Sequence, residues 1–176
     1  MDIVKEILDI INDEIFQHSV ITTDKLCFEE AVREACEKNY CGCYNKCWTC
    51  PPACGEIDKL QKKLTSYKNM FIFTTVHTLE DSFDLDGMRS AHISHDRTTD
   101  KIKELCQRHG ATLLGAGSCT ICKKCAFPDA PCRFPEKAIV SIEACGVNVM
   151  TLSKSAGINY INGTNTVTFF SAVLYN

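Results

Sequence analysis

Several features are scarce in this sequence, and each scarcity excludes something. No apolar run approaches the roughly 20 residues of a membrane-spanning helix, which argues against a membrane partner. Neither sign of charge dominates: 19 Lys and Arg stand against 22 Asp and Glu, a net charge of −3. A mildly acidic chain has no electrostatic reason to seek nucleic acid or an anionic lipid surface. The start, Met1-Asp2-Ile3-Val4-Lys5-Glu6, is charged from its first turn and lacks the pattern of a secretory signal, so a cytoplasmic protein is expected. There is no Gly-x-Ser-x-Gly, no phosphate-binding loop and no dinucleotide fingerprint. The acidic stretch at 81–86, Asp-Ser-Phe-Asp-Leu-Asp, lacks the glycine and terminal glutamate of a calcium loop. No strict internal repeat or low-complexity linker divides the chain. With 176 residues and 45% hydrophobic content, one globular domain over 1–176 is expected.

Cysteine is abundant, with thirteen in 176 residues. A disulfide scaffold is one explanation. The missing export signal, a length that needs no covalent staples and the odd count all oppose it. In a reducing compartment such a load points to metal or redox chemistry.

Hydrophobic spacing predicts a helix over 3–16, from Ile3, Ile7, Ile10, Ile11 and Ile15. A second helix is expected from a cap at Asp24 to Glu37, with Phe28, Val32 and Ala35 on its apolar stripe. Residues 36–55, with Pro51, Pro52, Gly42 and Gly55, predict an irregular loop, and a third helix follows at 56–67. Met70–Val76 reads as a buried strand, 88–109 as a helix stopped by Gly110, and 111–115 as a short strand. A second irregular cysteine loop fills 117–138. Ser141 is expected to cap a helical turn at 141–145, and 149–156 to be helical. Strands at 158–161 and 167–174, joined at Asn162-Gly163, predict a hairpin. The expected fold class is α+β, with helices on one face of a small, mostly antiparallel sheet.

Two cysteine constellations stand out. The sharper is Cys119-x2-Cys122-x2-Cys125-x6-Cys132, followed by Arg133-Phe134-Pro135. Two-residue spacers turn successive thiolates back onto one centre, and a more distant fourth closes it. This resembles the bacterial ferredoxin run, except that Pro131 precedes the last cysteine. A [4Fe–4S] cluster fits this spacing, and structural zinc is the alternative, although zinc sites more often use two well-separated Cys-x2-Cys pairs. Lys123, Lys124, Arg133 and Lys137 lie in or beside this loop and either balance the charge of an anionic cluster or form a solvated basic face.

The second constellation holds Cys36, Cys41, Cys43, Cys47, Cys50 and Cys54 within 19 residues, enough for a four-ligand site with two thiols over. Trp48, the only tryptophan, lies inside it as a hydrophobic lid that would also keep water from the sulfurs. Cys27, Cys106 and Cys145 fall in helical patterns and read as core fillers. His92 and His95 are three apart, on one helix face, and could bind a metal, but no Glu-x-x-His or His-Glu-x-x-His pattern supports this, and with His77 they read as polar surface.

Three stretches resemble family 2284 of the domains of unknown function, predicted metal-binding proteins of bacteria and archaea, many of them anaerobes. They are Cys36 to Pro52, Gly117-Ser118-Cys119 to Pro135, and Ser141-Ile-Glu143-Ala144-Cys-Gly146-Val-Asn-Val149. The resemblance covers about 36–176. It implies metal-ligand roles for Cys36, Cys41 and Cys50, and for Cys119, Cys122, Cys125 and Cys132. Cys43, Cys47 and Cys54 stand outside the usual pattern as possible additional ligands.

The expected function is that of a [4Fe–4S] protein carrying electrons to a redox partner. In an alternative reading, a centre held only by Cys36, Cys41 and Cys50 leaves one iron open to a small anionic substrate. Arg133 would then orient the anion and Glu143 move a proton. A zinc-stapled interaction module is the third reading.

Overall fold

A computed structural model describes residues 2–176 of the chain. Its elements, in order, are α1 (Ile3–Ile11), β1 (Gln17–Thr22), α2 (Glu30–Glu37), α3 (Ile57–Leu64), β2 (Asn69–Thr78), α4 (Leu85–Arg108), β3 (Thr112–Leu114), α5 (Val149–Ala156) and β4 (Thr166–Tyr175), with short 3-10 turns at Asn12–Glu14, Thr23–Lys25 and Glu143–Cys145. The four strands form one sheet in the order β1-β2-β4-β3, every neighbouring pair antiparallel. The fold is α+β, as the element pattern predicts.

The sheet is covered on both faces, a correction to the expectation of helices on one. Successive side chains of a strand point to opposite faces, and β2 and β4 are apolar at both parities. Phe71 and Phe73 of β2 and Val173 of β4 pack with Ile3, Ile7 and Ile11 of α1 and with Ile102, Leu105 and Cys106 of α4. On the other face, Met70, Ile72, Phe170, Ala172 and Leu174 pack with Leu64 of α3, Leu152 of α5, and Ile142, Cys145 and Val147.

Several local expectations give way to tertiary structure. The strand β1 lies where no element is expected, because its inward Gln17 and Ser19 break the apolar alternation. The helix expected from Asp24 starts only at Glu30: Asp24 pairs with Lys25 and accepts a hydrogen bond from Thr22 in a 3-10 turn, and Phe28 bridges to Val147 instead. The hairpin at Asn162-Gly163 does not form. Ile158 is buried and closes α5 by donating its N–H to Ser153 O at 2.9 Å, while β4 pairs with β2 and β3. Ser141 caps its turn as expected, its hydroxyl accepting from Ala144 N at 3.1 Å.

The necks of both cysteine loops are clamped. Gly115 and Ser141 pair as a parallel bridge, with Gly115 N donating to Val140 O at 2.9 Å and Ile142 N to Gly115 O at 3.0 Å. Arg33 of α2 holds the other neck: Nη2 donates to Gly55 O at 2.9 Å and Nη1 to Ala144 O at 2.8 Å. One guanidinium thus ties the end of the first loop to the turn that follows the second.

Candidate metal centre

The two cysteine loops meet. Cys119 donates its backbone N–H to Thr49 Oγ1 at 3.3 Å, Cys43 Sγ donates to Ser118 Oγ at 3.2 Å, and Trp48 Nε1 donates to Ala130 O at 3.1 Å. Trp48 also meets Phe127 edge-on, with ring centroids 4.9 Å apart. Trp48 is therefore a strut between the loops, half-buried, as well as part of the wall.

Between the loops lies a cavity of about 270 Å³. Its wall contains all four cysteines of the 119–132 run, together with Cys43 and Cys47. The remaining lining includes Trp48, Ile121 and Phe134 and the cations Lys46, Lys123, Lys124 and Arg133, and no Asp or Glu contributes to it. The volume far exceeds that of a single ion. Among the described residues, no three Cys, His, Asp or Glu donors converge closely enough to hold one metal ion. The thiols surround a space instead of pointing at one spot. All thirteen cysteines are free.

The residues fit a polynuclear iron–sulfur group by donor chemistry. Soft thiolate donors suit iron–sulfur clusters, and cationic and amide neighbours offset their charge. Cys119 has its thiol pushed up chiefly by burial, with Cys47, Cys132 and Cys122 adding to the shift and the Ile121 amide opposing it. Thiols that raise one another's pKa in this way give up their protons most readily to a metal, whose positive charge relieves the repulsion. Lys103 of α4 does not line the cavity; its Nζ is buried with no hydrogen-bond partner among the described residues, and burial lowers its pKa, with Asp100 and Cys119 opposing.

The second implied set is more dispersed. Cys50 is buried against Cys47, with a sulfur–sulfur distance of 3.7 Å, and the amide of Cys50 donates to Cys47 O at 3.2 Å across a tight turn. Cys47 is held below the ordinary thiol range by its hydrogen bonds from Cys50 and Thr49 and from the Cys119 amide, against the effect of burial, and Cys50 is correspondingly raised. Cys36 is half-buried at the end of α2, and its thiol is raised by burial and by the nearby Cys41, with Arg33 opposing. Cys41 is exposed. Cys54 lies beside Arg33, with Nη1 3.9 Å from its sulfur. Cys36, Cys41, Cys50 and Cys54 take no part in the cavity wall.

Arg133 lines the cavity and donates from Nη1 to Lys124 O at 2.9 Å. Glu143 does not line it. The residue keeps partial exposure, but its Oε2 is buried without a partner, and burial raises its pKa despite its own amide and the Ser141 hydroxyl. Cys106 and Cys145 are core thiols pushed up to about 12 by burial, and Cys27 is half-buried beside Glu29.

The histidines correct the expectation of a polar surface. His95 is 0% exposed, with Nδ1 2.8 Å from Thr75 Oγ1 and Nε2 2.7 Å from Ser171 Oγ. Thr75 Oγ1 is in turn 3.0 Å from His77 Nε2. His92 stacks on Phe169, and its Nε2 lies 2.8 Å from Ala116 O and 3.5 Å from Asp96. Asp96 accepts from the Thr120 hydroxyl, so α4 holds the start of the 119–132 run. Gly117 adopts φ +63°, and a Cβ there would come within 2.9 Å of His92 Cε1. That approach requires glycine on both counts. The supporting residues Arg33, Thr49, Ser118 and Asp96 carry no sequence signal of their own beyond, for Thr49 and Ser118, adjacency to cysteine.

The sequence model of a family described as predicted metal-binding protein (DUF2284) matches residues 19–175. No curated protein and no solved structure matches the chain.

Proposed function

The chain belongs to the predicted metal-binding family DUF2284, and from that premise we propose that it is a [4Fe–4S] protein that carries electrons, with Cys119, Cys122, Cys125 and Cys132 as the cluster ligands. The observation that carries this reading is the single cavity walled by all four of these thiols. A bound cluster supplies a one-electron redox couple whose potential depends on burial, hydrogen bonds to sulfur and nearby charge. The chain's own contribution is environmental. Trp48, Ile121 and Phe134 make part of the wall apolar, Lys46, Lys123, Lys124 and Arg133 offset negative charge, and Thr49, Ser118 and Asp96 hold the loops in register. Six thiols line the cavity, so Cys43 and Cys47 are spare donors on its first-loop side.

The test is iron, zinc and acid-labile sulfide content of protein purified without oxygen, with its visible absorption. About four irons and four sulfides per chain, with a broad brown shoulder, support the reading. About eight of each extend it to a second centre at Cys36, Cys41 and Cys50. Zinc without sulfide replaces it with a structural metal module.

A further inference from the structure

The mouth of the cavity differs in charge from the rest of the molecule. Residues 38–55 carry Lys38 and Lys46 and no acid; residues 116–141 carry Lys123, Lys124, Arg133 and Lys137 against Asp129 and Glu136. The two loops together are therefore +4 in a chain whose net charge is −3, which leaves −7 on the remainder. The cations Lys46, Lys123, Lys124 and Arg133 are exposed and line the opening. Among them sit apolar side chains that reach solvent: Ile121 is 40% and Phe134 38% exposed, and Trp48 is half-buried. An apolar patch ringed by charge of one sign has the composition of a protein-docking surface.

We propose that this face docks an acidic electron-carrier protein, which the basic ring steers onto the cavity mouth. The inference rests on the cluster reading and adds the class of partner. Charge complementarity selects the occupant. A cluster held by four thiolates would contribute about −2, which leaves the loops at about +2; an acidic protein gains from this patch on approach, whereas a basic one meets repulsion there and attraction to the acidic remainder. Steering of this kind raises association rates by about 10–10³-fold and is screened by salt, with a Debye length of about 10 Å at 0.1 M. Ile121 and Phe134 would supply the short-range contact once the partner has arrived. Electron-transfer encounters are small and transient.

The experiment uses the whole, oxygen-free protein and an acidic plant-type ferredoxin as probe, with a basic cytochrome c as its opposite. Electron exchange with each is followed by stopped flow at rising salt. Carbodiimide cross-links between lysines and carboxylates are mapped in parallel, which reads docking without depending on electron transfer. The expected result is a rate with ferredoxin that falls at least tenfold from about 0.02 to 0.5 M salt, with cross-links at Lys46, Lys123 or Lys124. Lys46→Glu, compared with wild type at equal iron and sulfide content, should slow that rate several-fold. A salt-independent rate, a faster reaction with the basic protein, or cross-links only elsewhere would overturn the proposal. If the protein holds no iron, the cluster reading fails by itself; ferredoxin cross-links at these lysines would still establish the docking face, and their absence would remove it as well.

Discussion

The backbone N–H of Cys119 donates to the hydroxyl of Thr49 at 3.3 Å, across 70 residues of chain. The same hydroxyl lies 3.0 Å from Cys47 Sγ. Thr49 is buried, so one oxygen links the amide of the first cysteine of the 119–132 run to the Cys47 thiol of the other loop in a water-poor place. The cavity exists because this and the neighbouring ties close it.

Thr49→Val keeps the shape and removes the hydroxyl. A buried donor left without its partner typically costs about 1–3 kcal/mol. A loss in that range is expected in urea unfolding, together with faster release of bound iron to a chelator. An unchanged midpoint and an unchanged release rate would show that the loops do not depend on this contact.

Arg33 makes charge-assisted hydrogen bonds to Gly55 O and Ala144 O, at 2.9 and 2.8 Å. Arg33→Met leaves both carbonyls without this donor and should lower stability by about 3 kcal/mol, taking about 1.5 for each bond. Arg33→Lys, with a point charge and no planar fork, should recover about half of that. The comparison is read from denaturation midpoints of the three proteins.

His95 gives the fold a pH dependence. Burial lowers its pKa to about 3, with His92 and His77 lowering it further, so the folded protein keeps it neutral. In the unfolded chain it protonates near 6.5. Below that pH the unfolded state binds the extra proton, so the stabilisation is complete above about 6.5 and is lost as pH falls toward 3. His77, also lowered by burial, acts in the same direction. Between pH 6.5 and 5, above most carboxylate titrations, unfolding free energy should fall by roughly 1.4 kcal/mol per unit for His95 alone once well below 6.5. His95→Gln should flatten the slope, whatever its effect on absolute stability. A slope in that window that His95→Gln leaves unchanged would contradict the burial of a neutral imidazole.

Much of the fold and the site is legible in the sequence, and the parts that are not share a cause. The spacing of Cys119, Cys122, Cys125 and Cys132 is local information, and the cavity wall reunites all four. The strand at Asn69–Thr78 and the helix at Leu85–Arg108 are similarly plain from apolar pattern and from stops such as Gly110. By contrast, β1 is stabilised by pairing with β2 over positions 69–74, a contact that no local alternation announces. The same holds for the Asn162-Gly163 turn, whose residues serve a connection because β4 finds its partners far away in sequence. His95 looks like a surface residue in a polar helix, yet Thr75 and Ser171 satisfy both of its nitrogens inside the sheet–helix interface. The meeting of the two cysteine loops is also a tertiary fact. It rests on Thr49, Ser118 and Trp48, and their pairing partners cannot be read from spacing.

The most direct test of the central claim compares iron and labile sulfide in the wild-type chain and in a Cys122→Ala, Cys125→Ala variant, both purified without oxygen. The variant should lose about four irons and four sulfides per chain relative to wild type, along with the visible absorption they carry. Equal iron and sulfide in the two proteins would contradict that claim and move the ligands elsewhere.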